Sequence, residues 1–189
     1  HFKYLGSFIS YNLRDDFDIE TRIKKAGAAM GALRHFFNNK HVDTYTKHLI
    51  FKAIPLNLLL WGCEAWSLRE DHYIKLESFL HRSIRNILNI NMTQVQEDHI
   101  KNETIREMFY GIIPDIKTTI AMRQLSFIGK AVRNNTPNLP TRLMITACCN
   151  HERPKQGGRP QLHLKDTLCN NLALMFERVD YVNIDVTGK

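Results

Sequence analysis

Apolar residues recur at helical spacing through most of this chain and follow strand spacing only at its start. The clearest stripe is Ile19, Ile23, Ala26, Met30, Leu33 and Phe37, which predicts a helix over 19–37. The most apolar run, Lys47 to Leu68, sets Leu49, Ile50, Ala53 and Ile54 on helical steps. Pro55 has no N–H to give the preceding turn, so it is expected to break or kink that helix. Leu58, Leu59, Leu60 and Trp61 leave no polar face and are expected to be buried. A helix over 70–89 carries Tyr73, Leu76, Leu80, Ile84 and Ile87 on one side, and a shorter one is expected over 103–110. A helix over 115–133 shows Ala121, Leu125, Ile128 and Val132 as one stripe, with Ile116, Ile120 and Phe127 on a second flank. The last helix, to about Arg178, is expected to bury Leu164, Leu168, Leu172 and Met175.

Ahead of these helices, Phe2 to Ile9 is aromatic and β-branched with a bend at Gly6. It reads as one arm of a small hairpin paired with Ser7 to Tyr11. The predicted fold class is mainly α: a helical bundle with a short N-terminal β-strand or hairpin and a C-terminal helical region. The divisions are 1–12 for the hairpin, 13–112 for the helical body and 113–189 for the basic C-terminal region, with a boundary near Gly111-Ile112-Ile113-Pro114.

Asp15, Asp16, Asp18 and Glu20 lead straight into a helix rather than sitting on a hairpin between apolar strands. That placement favours capping over metal binding, with Asp18 as N-cap and the acids facing the positive end of the helix dipole. Cys63, Cys148, Cys149 and Cys169 have no Cys-x-x-Cys spacing, and with His151 and His163 they match no common zinc site. Free thiols suit a reducing, intracellular setting, nuclear or cytoplasmic. The Lys47–Leu68 run is broken by Lys52, Asn57 and Glu64 and falls short of the roughly 20 apolar residues of a membrane span, so no membrane partner is expected. The chain begins at His1 rather than at a methionine, which suggests a piece of something longer.

Charge changes the picture most. The 189 residues carry a net charge of +7. Between Lys117 and Arg159 eight basic residues meet one acid, Glu152, so that stretch nets +7 as well. A concentrated positive region beside a neutral helical body is the footprint of a polyanion partner, nucleic acid before others.

Three faces could meet phosphate. On the first long helix, Lys24, Gly27, Ala28, Gly31 and His35 oppose the apolar stripe. Two glycines there cost roughly 2 kcal/mol of helix propensity, so either a neighbouring helix or a sugar-phosphate backbone should need the close approach. On the 70–89 helix Lys75, Ser78, Arg82 and Arg85 form a row. On the 115–133 helix Thr119, Arg123, Ser126, Lys130 and Arg133 lie within one narrow arc. Lys155 and Arg159, in the Pro154–Pro160 loop with Gly157 and Gly158, add two more cations.

Five segments resemble, in order, the reverse transcriptases of non-LTR (LINE-type) retrotransposons. Phe2-Lys3-Tyr4-Leu5-Gly6 is similar to the strand that closes their palm. Leu58 to Trp66, with Trp61-Gly62-Cys63-Glu64-Ala65-Trp66, resembles the thumb segment that follows. His81-Arg82-x-x-Arg85 is similar to a His-Arg-x-x-Leu-Arg run. Leu125 to Arg133 resembles an L-R-W-x-G-H-x-x-R segment, with Phe127 for the tryptophan and Lys130 for the histidine, and Gly158-Arg159-Pro160 with Asp166 resembles a later G-R-P motif.

The resemblance implies a thumb-like bundle and C-terminal basic region that grip the primer–template duplex by its backbone. The partners it implies are an RNA template, a DNA primer, and the palm and fingers upstream in the same polyprotein. The parent activity would be RNA-directed DNA synthesis with Mg²⁺ on upstream carboxylates; this chain carries no Asp-Asp palm motif, so no cofactor and no polymerase activity of its own are expected. The other readings are a stand-alone helical RNA- or DNA-binding module and a protein-interaction scaffold.

Overall fold

The computed structural model describes residues 1–11, 15–109, 115–133 and 164–179. The boundary near Gly111–Pro114, the cysteines 148 and 149, the histidines 151 and 163, and the loop with Lys155 and Arg159 lie outside them. The chain forms two compact units, His1–Lys117 and Thr118–Lys189.

The first unit starts with an antiparallel hairpin, β1 (Phe2–Tyr4) and β2 (Ser7–Ile9), pairing Phe2 with Ile9 and Tyr4 with Ser7. The connecting residues Leu5 and Gly6 both have positive φ, 45° and 90°. Two such residues in a row make the tight turn whose twist suits a two-residue hairpin loop.

Helix α1 (Asp16–Ala32) follows. Its stripe enters the core with Ile19 and Ala26 buried. It ends before Phe37, because Leu33 leaves helical geometry (ψ 7°) and a short α2 (Arg34–Phe37) resumes and buries Phe37. The expected cap is wrong. Asp15 holds the N-cap position without a side-chain cap bond, and Asp18 is buried inside the first turn. The acids are diverted because the loop after Trp66 competes for them: Asp15 Oδ2 accepts the Ser67 N–H instead, at 2.9 Å.

Helix α3 (Thr44–Phe51) is capped by Asp43, whose carboxylate accepts the Thr46 N–H and hydroxyl at 2.9 and 2.6 Å. Those bonds hold the Asp43 carboxyl below the usual carboxylate range. Pro55 then sits inside a π-helical turn, Lys52–Leu56, before the short α4 (Asn57–Leu59). The wider turn accommodates the missing N–H. The face that enters the core also differs from the expected one. Leu49 and Ile54 are exposed, whereas Lys47, His48, Phe51 and Pro55 are buried. The His48 ring fixes this rotation, since its Nδ1 meets the Phe109 carbonyl at 3.2 Å and its face lies beside the Phe109 ring. Leu59 and Leu60 are fully buried, but Trp61 is 55% exposed because the chain turns outward at Gly62.

Helix α5 (Glu70–Leu88) buries Leu76, Phe79, Leu80, Ile84 and Ile87, each such side chain contributing roughly 1.5–3 kcal/mol. It packs on α1 and on α7 (Asn102–Met108), with α6 (Met92–Glu97) between. In the second unit α8 (Ile116–Arg133, which starts just ahead of it) and α9 (Leu164–Val179) are described. Here the apolar bookkeeping needs correction. Val132, Phe127 and Leu172 are exposed, while Gln124 and Asn171 are buried and joined, Nδ2 of Asn171 donating to Oε1 of Gln124 at 2.6 Å. A satisfied amide pair is as acceptable inside as a methyl group, and periodicity of apolar residues cannot register it. No helix among the described residues is long and apolar enough to cross a membrane.

Candidate nucleic-acid interface

Two helical rows of the first unit face one another across a groove of about 580 Å³. From α1 and α2 come Gly27, Met30, Gly31 and Arg34; from α5 come Arg82, Arg85, Asn86 and Asn89. Both rows step i, i+3, i+4, i+7, the spacing that keeps residues on one helical face. The groove therefore gathers four residues singled out by the sequence from two separate helices: Gly27, Gly31, Arg82 and Arg85.

The two glycines differ in what stands against them. A Cβ on Gly27 would meet Phe79 at an ordinary 3.9 Å, and one on Gly31 would meet no described atom within 4 Å. The helix-packing explanation of these glycines is therefore overturned at Gly31. Gly31 leaves bare backbone on one wall, opposite the Arg82 and Arg85 guanidinium groups.

Among the described residues the lining contains three arginines and four asparagines and no carboxylate. That composition differs from an ordinary solvated face, where acids and bases alternate. Arg34, Asn86 and Asn89 escaped the sequence reading. The signal was present, since Arg34 is one helical step beyond Gly31 and Asn86 one beyond Arg82.

The remaining candidates lie elsewhere. Lys24 is exposed on α1. Lys75 and Ser78 are exposed on α5, and Lys75 is paired with Glu20 at 3.8 Å, so its charge is partly answered within the protein. On α8, in the second unit, Ser126, Lys130 and Arg133 are exposed, and Thr119 and Arg123 are half-buried. The Arg133 guanidinium lies back along the helix over Gly129, where a Cβ would stand 3.1 Å from Nη1.

The motif residues at the start of the chain do a different job. Asp18 is buried and accepts the Phe8 N–H at 3.0 Å and the Trp66 indole N–H at 3.1 Å. Arg22, one turn on, pairs with Asp18 at 3.5 Å and donates to the Gly6 carbonyl and the Ser7 hydroxyl at 2.6 and 2.9 Å. Gly62 (φ 79°) lies against the hairpin so closely that a Cβ would be 2.8 Å from Ser7 Oγ. The strand motif and the tryptophan-rich motif are thus two halves of one contact, with α1 between them.

Asp16, Asp71 and His72 bring three ligand-type atoms within 4.8 Å of one another. They do not fit Mg²⁺, which demands near-octahedral oxygen ligands. The Arg69 guanidinium already holds them, donating to Asp16 at 2.7 Å and to Asp71 at 3.1 and 3.0 Å, while His72 Nε2 meets Asp16 at 2.8 Å. The Asp71 carboxyl is held below its ordinary range mainly by that arginine. This is an ion-pair network that ties the start of α5 to α1.

Of the cysteines, Cys63 is buried and Cys169 exposed, both as free thiols. No family model, no curated protein and no solved structure matches this chain.

Proposed function

We propose that this chain holds an RNA–DNA duplex by its sugar-phosphate backbone, as the thumb-like and basic C-terminal part of a LINE-type reverse transcriptase. The observation that carries the reading is the α1–α5 groove, where Arg82 and Arg85 face the open backbone at Gly31, Arg34 adds a third cation, and the described lining holds no carboxylate. Arginine forks match phosphate oxygens in pairs, and bare helix backbone admits a sugar-phosphate chain closer than a side chain would. The row Ser126, Lys130 and Arg133 on α8 supplies a second set of contacts of the same kind. Such contacts position a duplex without reading its sequence.

The test is binding of a short blunt-ended RNA–DNA hybrid across a salt series. Affinity should fall steeply with salt, and Arg82→Ala/Arg85→Ala should flatten the log–log slope by about two phosphate contacts. Arg123→Ala/Lys130→Ala should act similarly and independently. Absence of binding at low salt would leave the protein-interaction scaffold as the reading.

A further inference from the structure

We propose that the α1–α5 groove is a pocket for one unpaired nucleotide, its phosphate on Arg82 and Arg85 and its base against the carboxamide of Asn86. The inference rests on the nucleic-acid reading above and narrows it to a ligand. Its first support is size. A volume of about 580 Å³ falls in the roughly 300–1,000 Å³ range of sites that enclose a small molecule.

The second support is lining chemistry. Guanidinium groups alone would suffice to hold a backbone, and this groove holds more. Asn86 stands one helical step from Arg82 on the exposed face of α5, and Asn38 lies across from it at the end of α2. A carboxamide offers one acceptor and two donors on a single plane, the pattern that meets the edge of an exposed base. Met30 and Ile90, both half-buried, give the cleft apolar surface for the flat face of a ring. Bases become available to such groups only where they are unpaired and splayed from the stack, as at a bulge or an end.

The third support is electrostatic. Among the described residues the lining holds three arginines and no carboxylate, which favours the phosphate of a bound nucleotide. Asn89, with φ 55°, and Asn91, which opens α6 in a capping box, form the C-terminal lip of the pocket.

The experiment compares two probes by fluorescence anisotropy: a blunt RNA–DNA hybrid and the same hybrid carrying one bulged adenosine. The wild type should bind the bulged probe about tenfold more tightly, equivalent to about 1.4 kcal/mol. Asn86→Ala should weaken the bulged probe about tenfold more than the blunt one, so that the two bind alike; Asn86 is exposed, and an unchanged circular-dichroism melt checks that the fold is intact. Arg82→Ala/Arg85→Ala should weaken both probes. Equal binding of the two probes by the wild type, or equal weakening of both by Asn86→Ala, overturns the pocket and leaves the duplex reading standing. Failure of both probes at low salt overturns the two together.

Discussion

The indole N–H of Trp66 donates to Oδ2 of Asp18 across 3.1 Å, and the other oxygen of that carboxylate takes the amide of Phe8. A single buried carboxylate therefore joins the hairpin, the first helix and the end of the apolar run. Its charge is answered by Arg22, whose guanidinium in turn reaches the hairpin turn.

Removing one side of that arrangement strands the other. Asp18→Ala should lower stability by about 3–5 kcal/mol, since a buried arginine loses its counter-charge. Replacing both residues, Asp18→Leu/Arg22→Met, should cost less than the single change, and the difference in urea-unfolding free energies across the double-mutant cycle measures the coupling. Additive costs would show that the two residues act separately.

Two glycine substitutions should move stability in opposite directions. Gly62→Ala meets a positive φ and the Ser7 hydroxyl at 2.8 Å, so a loss of at least about 1–2 kcal/mol is expected. Gly31→Ala meets no described atom and should raise stability by up to about 1 kcal/mol through helix propensity. If backbone approach is what Gly31 serves, the same variant binds the RNA–DNA hybrid more weakly. Thermal melts and binding on one preparation separate the two effects.

Acidification through the histidine range should destabilise the first unit. Burial depresses the His48 ring against the pull of the Phe109 carbonyl, and burial with Arg106 and Arg85 depresses His81, which Glu77 and Glu103 partly oppose. Both rings thus prefer to be neutral when folded. The unfolded chain takes up more protons below the ordinary value of 6.5, so stability is present above it and declines as pH falls toward the depressed folded values. Glu77, raised chiefly by burial, runs the other way: its contribution grows as pH falls through its folded value toward the ordinary 4.5. Urea midpoints should therefore fall from about pH 8 to about pH 6, and His48→Gln should reduce the fall.

In the second unit the test is the buried amide pair. Asn171→Leu should cost about 1–3 kcal/mol by removing the donor to the buried Gln124 Oε1. Adding Gln124→Leu should recover most of that loss, as read from chemical denaturation.

Fold class and the long helices were legible because their apolar residues repeat every three to four positions. The rotation of α3 was not, because a histidine hydrogen-bonded to a carbonyl 61 residues away chose the buried face over Leu49 and Ile54. Asp18 was misread for a similar reason. An acid near a helix start suits a cap locally, and only the arrival of Trp66 makes it a core residue. Helix α6 was missed although Asn91 and Gln94 form a capping box, the Asn91 N–H donating to Oε1 of Gln94 at 2.9 Å; so short a polar segment has no apolar stripe to announce it. Half of the groove was readable from the glycine and arginine rows. Its closure was not, because periodicity gives the face of each helix but not which faces meet.

The carboxylate of Asp18 also has a kinetic meaning. Its partners lie 10 residues away on one side and 48 on the other, and neighbouring bonds from Asp15 and Asp16 to Ser67 and Arg69 span 52 and 53. None of these can form while α1 is an isolated helix, so the hairpin, α1 and the start of α5 must commit together. Loop closure of that length precedes the reward, which slows the search and makes the step cooperative. A chain trimmed of its first nine residues would retain α1 but lose the Phe8, Gly6 and Ser7 partners at once, leaving an ion pair half-wrapped at the surface of an otherwise helical body.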